Sequence, residues 1–193
     1  MCDGLRSLAS IYDGLEEIIC LPSNQACSSQ QRNMLDGEME CSIELLDLCS
    51  TMQETFAEMM VIIQELQLAL RKGDDVAAQA KIQSFIRLGK KARKHFKKSA
   101  KKPAFDKMVM LLTKAREICI SLLESTLHLL LKQMEMPKKS LVCKEFYKKK
   151  AIVCKEEQLQ ELECSIEDLQ NGAGDLFRKL VQNRVCLSNI LSS

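Results

Sequence analysis

Tryptophan is absent from this 193-residue chain, and just three prolines and seven glycines punctuate it. Leu, Glu, Lys, Gln, Met and Ala, all good helix formers, dominate what remains. The composition therefore favours an all-helical protein. Long apolar runs are missing too. The strongest candidate, Ile118 to Leu131, spans about 14 residues and contains Glu124 and His128, whereas a membrane span needs roughly 20 apolar residues. The opening MCDGLRSLASIYDG lacks a basic end followed by an apolar run, and no Asn-x-Ser/Thr acceptor site occurs. An intracellular protein, soluble or peripheral to a membrane, is expected.

The motifs of chemistry are also missing. The chain has no phosphate-binding GxxxxGK, no GxGxxG after a strand, no HExxH and no GxSxG. A ferritin-like metal site needs Glu-x-x-His on facing helices. Here His128 follows Glu124 by four residues and His95 has no Glu three residues before it. His128 is read as a partly buried packing residue. Glu156, Glu157, Glu161 and Glu163 read as a solvated helix face. Ten cysteines are present without a CxxC pair, so zinc spacing is not met. Without a secretory context their thiols are expected to be reduced. Cys49 and Cys119 fall on apolar helix faces, where a thiol acts as a small hydrophobe. No catalytic, cofactor-binding or metal-ligating residue is assigned, and no cofactor is expected.

What the chain does have is uneven charge. Residues 1–75 carry 4 basic and 14 acidic side chains, a balance of −10. Residues 76–155 stand at +16 and residues 156–193 at −4, so the net +2 conceals an acidic–basic–acidic order. The densest stretch is LGKKARKHFKKSAKK, Leu88 to Lys102, with eight basic residues in fifteen positions and no acidic one.

Apolar spacing divides the chain into helices. The first runs from about residue 3 to 21 and stops at Pro22. The second covers about 30 to 72, with Leu45, Cys49, Met52, Phe56, Met59, Ile63, Leu66 and Leu70 alternating four and three apart, a coiled-coil-like seam. KGDD supplies a C-terminal cap and the next N-terminus. The third helix begins near Asp75 with a seam of Ala78, Ile82, Phe85, Gly89, Ala92 and Phe96, and it is expected to continue through the lysines toward Pro103. The basic stretch then forms one half of an amphipathic helix, residues 82–102, and Gly89 and Ala92 permit a close approach. The fourth helix, about 104 to 135, bears two adjacent stripes. One contains Met108, Leu111, Ala115, Ile118, Leu122 and Leu129, and the other Leu112, Cys119, Leu123, Thr126 and Leu130. Together they predict a wide buried face. LVCKEFYKKKAIVC reads as a short helix plus a basic loop. The last helix, about 155 to 191, keeps the alternation from Leu159 to Ile190. Gly172 and Gly174 suggest a close crossing or mild bend, and Asn183 either lies on the seam or faces water at its edge. The expected fold is an all-α, elongated antiparallel bundle occupying residues 1–193 as a single domain.

The stretches LDLCSTMQETF, QELQLALRKGDD and REICISLLESTLHLLLKQ, with LPSNQ and the C-terminal EEQLQELECSIEDLQNGAGDLFRKLVQNRVCLSNILSS, resemble a plant-specific family grouped with the BYPASS-type proteins. The resemblance covers nearly the whole chain from about Leu5. It implies a helical protein without a known catalytic site and a link to root and shoot development, and it supplies no functional residues to carry over. Members have a further polar, Ser- and Pro-containing N-terminal segment. Here Met1 enters almost directly into DGLRSLASIYDGLEEI, so the first helix is expected to lack that extension.

Three roles remain for Lys90, Lys91, Arg93, Lys94, Lys97, Lys98, Lys101 and Lys102. The preferred one is pairing with the acidic first half of the chain. The second is contact with an anionic membrane surface, with Phe96 on the apolar side. Nucleic acid ranks third, since lysine outnumbers arginine and few aromatics are available for stacking. The favoured reading is a non-catalytic bundle acting through a protein partner, with a homo-oligomer compatible with the seams. The rival is a peripheral membrane adaptor.

Overall fold

A computed structural model describes residues 2–21, 29–96, 107–134 and 148–192. Five helices and no strand occur among the described residues: α1 Cys2–Ile19, α2 Ser29–Arg71, α3 Asp75–Arg93, α4 Lys107–Met134 and α5 Lys148–Ser192. The all-α expectation holds. At about 1.5 Å per residue, the 43 residues of α2 and 45 of α5 give rods well over 60 Å long.

These two rods form the spine. Arg71 Nε reaches Glu156 at 2.6 Å, Gln64 and Gln67 bond Glu163 at 2.8 and 2.9 Å, and Arg184 bonds the Met39 carbonyl at 2.5 Å. Residue numbers fall on one rod as they rise on the other, so α2 and α5 are antiparallel along their whole overlap. The seam residues Leu45, Cys49, Met52, Phe56, Met59, Ile63 and Leu66 are all buried, as are Leu159, Leu162, Ile166, Leu169, Ala173, Leu176, Leu180, Leu187 and Ile190. All belong to one continuous apolar cluster.

The two shortest helices share the length of the spine. α1 lies against the α5 segment from Gly172 to Cys186, where Leu5 abuts Gly172 and Asn183 Nδ2 donates to the Tyr12 carbonyl at 2.8 Å. α3 folds back along the other half of α2, where Lys81 meets Glu65 at 2.7 Å. α4 spans both levels. Its first half meets α2 through Thr113 and Glu38, 2.8 Å apart, and its second half meets α3 at Leu131 and Gly89. Consecutive helices alternate in direction. With five of them, α1 and α5 end side by side and parallel within the antiparallel bundle.

Local chemistry sets the joints. Gly73 has φ +69, and the bonds Asp74 N–H to Ala69 O and Gly73 N–H to Leu70 O close a Schellman cap on α2. Asp74 then caps α3 by accepting from the Ala77 N–H at 2.9 Å. At Gly89 a Cβ would stand 2.4 Å from Leu131 Cδ2, so the small residue sets how closely α3 approaches α4. Gly172 and Gly174 lie within an unbroken α5, and the close crossing expected there is the Leu5 contact.

Several boundaries differ from expectation. α3 ends at Arg93, with Lys94 as C-cap, rather than running on through the lysines. Residues 94 and 95 form a turn, and Lys97, Lys98, Lys101 and Lys102 lie outside the described residues. α5 begins at Lys148, so half of the stretch read as a short helix and basic loop belongs to the last helix. His128 is exposed rather than partly buried. The run from Thr126 to Leu131 is apolar on nearly every side, and the neighbouring Thr126, Leu127 and Leu130 take the inward positions.

Candidate interaction surfaces

The apolar stripes of α4 have different fates. Leu112, Cys119, Leu123, Thr126 and Leu130 are buried. On the other stripe Met108 and Ala115 are buried and Leu111 and Leu122 half-buried, while Ile118 is 53% exposed and Leu129 41%. This corrects the expectation of a uniformly buried wide face. The reason is the placement of α1. A Cβ on Gly4 would lie 3.1 Å from the Leu122 side chain, so the two helices run antiparallel with the Gly4 flank of α1 facing this stripe. Ile11 and Ile18 follow Gly4 at intervals of seven and are 45% and 37% exposed. α1 begins opposite Leu122, so Leu129 lies past its end. Ile11 and Ile18 on α1 and Ile118 on α4 are thus exposed apolar side chains on two helices that pack together, with Leu111 and Leu122 half-buried on the same α4 stripe. Singly exposed apolar residues are ordinary, and what distinguishes these is their heptad spacing on two adjoining helices. The sequence signal existed in the seven-residue spacing of Ile11 and Ile18.

The second surface is the basic end of α3. Lys90, Lys91, Arg93 and Lys94 are exposed. Arg93 approaches Glu124 of α4 at 3.9 Å, and no ion pair involves Lys90, Lys91 or Lys94 among the described residues. Among the described residues, no ion pair joins these four to the acidic α1 or α2. Arg93 looks toward α4, and α3 meets the acidic α2 through Lys81 instead.

Polar groups inside the bundle cluster around α1, α2 and α4. Arg116, 9% exposed, pairs with Glu38 at 3.5 Å, and Thr113 Oγ1 donates to the same carboxylate oxygen. Arg116 Nε is buried without a partner. Tyr12 is 4% exposed, and burial, reinforced by the adjacent Cys119 and Cys49 thiols, holds its phenol neutral well beyond the usual range. Cys49 and Cys119 are fully buried. The Cys49 hydrogen bond and burial push the Cys119 thiol up, which fits the packing role expected for both. Asn183 is buried on the seam rather than at a wet edge. Its Nδ2 reaches two carbonyls, and its Oδ1 has no partner.

Among the described residues, no group of His, Cys, Asp and Glu is arranged to hold a metal, and no helix is long and apolar enough to cross a membrane. A depression lined by Asp75, Val76, Gln79, Gln83 and Arg87 follows one outward face of α3 and has no opposing wall. A family model described as Protein BPS1 matches residues 4–190. No curated protein and no solved structure matches the chain.

Proposed function

Because the chain belongs to the BPS1 family, a plant family of the BYPASS type, we propose that it is a non-catalytic bundle that acts by binding a protein partner. The observation supporting this reading is the exposed apolar rows on two packed helices, Ile11 and Ile18 on α1 and Ile118 on α4, which we take to flank one apolar groove. Two adjoining helices with apolar residues seven apart, Ile11 and Ile18 on one and Leu111 and Ile118 on the other, form a seat for a third, so the partner chemistry that fits is an amphipathic helix with an apolar stripe. Root and shoot development is the setting that the family resemblance suggests.

The test is capture from plant tissue with the wild type, with Ile118→Asp, and with Lys90, Lys91 and Lys94 all changed to Glu. A carboxylate buried in the groove without a pair is expected to weaken binding by at least about tenfold, or 1.4 kcal/mol. Proteins retained by the wild type and the lysine variant, and lost with Ile118→Asp, are the expected result. Equal recovery with Ile118→Asp counts against the groove. Circular dichroism confirms that the exposed substitution leaves the bundle folded.

A second reading has its own support in the exposed, unpaired Lys90, Lys91 and Lys94. A basic cluster of this kind gains about 1 kcal/mol per residue near an anionic lipid surface. In flotation with neutral and anionic vesicles over a salt series, peripheral binding predicts recovery with anionic lipid alone. Salt or the triple charge reversal should then abolish it. Protein that stays in solution throughout removes this reading.

A further inference from the structure

The parallel packing of α1 on α5 brings two thiols together at the end of α1. Cys20 follows the helix directly, its N–H bonding the Glu16 carbonyl at 2.9 Å, so its side chain stands one turn beyond Glu16. Cys186 on α5 donates its thiol to Glu16 Oε1 at 3.6 Å, so both cysteines lie at Glu16, with the Cys20 thiol a close neighbour of Cys186. Both cysteines are free, Cys20 exposed and Cys186 half-buried. We propose that Cys20 and Cys186 are a redox-active dithiol, which a small disulfide such as oxidised glutathione converts into a bridge between α1 and α5.

The division of labour follows from exposure. The Cys20 thiolate attacks one sulfur of oxidised glutathione, the S–S bond breaks, and one glutathione leaves as a thiolate that takes up a proton. Cys20 is then a mixed disulfide. Cys186 loses its proton to the mildly alkaline solvent and attacks the Cys20 sulfur, and the second glutathione leaves as a thiolate that takes up a proton. Two protein thiols are oxidised and one glutathione disulfide is reduced to two thiols. Burial, the Cys20 thiol and the Glu16 charge push the Cys186 thiol up to about 12, so its thiolate is scarce and the second step is the slow one. The Cys49–Cys119 pair provides a contrast within the same molecule. Both residues are fully buried, no oxidant reaches them in the folded chain, and they stay reduced.

The experiment treats the full chain with oxidised glutathione at mildly alkaline pH, quenches aliquots by alkylation and maps the peptides by mass spectrometry. In the wild type a Cys20–glutathione adduct should appear first and give way to a Cys20–Cys186 cross-linked peptide. Cys186→Ser should stop at the adduct, and Cys20→Ser should leave Cys186 unmodified. Glu16→Gln removes the charge that disfavours the Cys186 thiolate and should speed the second step several-fold, an effect that a merely structural Glu16 would not produce. A wild-type protein that stops at the Cys20 adduct overturns the proposal. So does a bridge from Cys20 to another cysteine, or a slower second step in Glu16→Gln.

Discussion

Glu38→Ala lowers the unfolding free energy by about 3–5 kcal/mol, because it leaves the Arg116 guanidinium charged, buried and unpaired. Arg116 is 9% exposed, its Nε already lacks a partner, and Glu38 supplies both its ion pair and the acceptor for Thr113. Moving an unpaired charge into that site costs more than the pair itself contributes, since desolvation offsets most of the attraction between partners. The double variant Glu38→Met with Arg116→Met removes both charges while keeping the volume apolar. It should recover most of the loss and can match the wild type. Urea unfolding followed by circular dichroism measures both. A single variant that loses less than about 1 kcal/mol would show that water reaches the pair.

Phe56→Ala is expected to cost a similar amount, about 3–5 kcal/mol, for a different reason. Phe56 is fully buried on the α2 seam, at the level where α5 passes from Gly174 toward Glu163. Truncation removes the transfer free energy of the ring and leaves a cavity that two long, continuous helices cannot readily collapse. Val61, five residues further along α2 and 54% exposed, is the control. Val61→Ala should change stability by no more than about 0.5 kcal/mol. The midpoint of urea unfolding should fall for Phe56→Ala at unchanged slope, since the surface exposed on unfolding is nearly the same. Against a total stability of about 5–15 kcal/mol, either buried variant removes a large share.

The seams were legible in the sequence because their period is unambiguous. Phe56, Phe85 and Leu162 each belong to a row that recurs every three and four residues along its helix, and each is buried. The joint at Gly73 was legible for a similar local reason, since a positive φ and an N-cap have their own residue preferences. Failure came where the local pattern is degenerate. Around His128 apolar residues point in every direction, so no period identifies the inward side. In the lysine stretch, Ala92 and Phe96 continue the α3 seam in sequence, yet the helix stops at Arg93. On α4 the exposure of Ile118 depends on where α1 begins and on which flank it presents, which is information carried by tertiary placement. The Glu38–Arg116 pair was missed because its partners lie 78 residues apart. An arginine between Leu112 and Cys119 on the buried stripe was the signal that a carboxylate had to meet it.

The two exposed surfaces can be compared on one basis. The basic end of α3 is electrostatic, so its contribution to any contact must fall as salt rises. The α1/α4 groove is apolar, and its contribution scales with area removed from water and persists in salt. The proposed partner binding through the groove is therefore expected to survive salt concentrations that release a lipid-bound protein.

The most direct measurement places a photo-crosslinking amino acid at position 118 in one chain and at position 91 in another, each expressed in plant tissue and irradiated. The groove reading predicts a discrete protein adduct from position 118, absent when Ile11→Asp is added to the same chain, and none from position 91. Adducts from position 91 alone, or none from position 118, would contradict it.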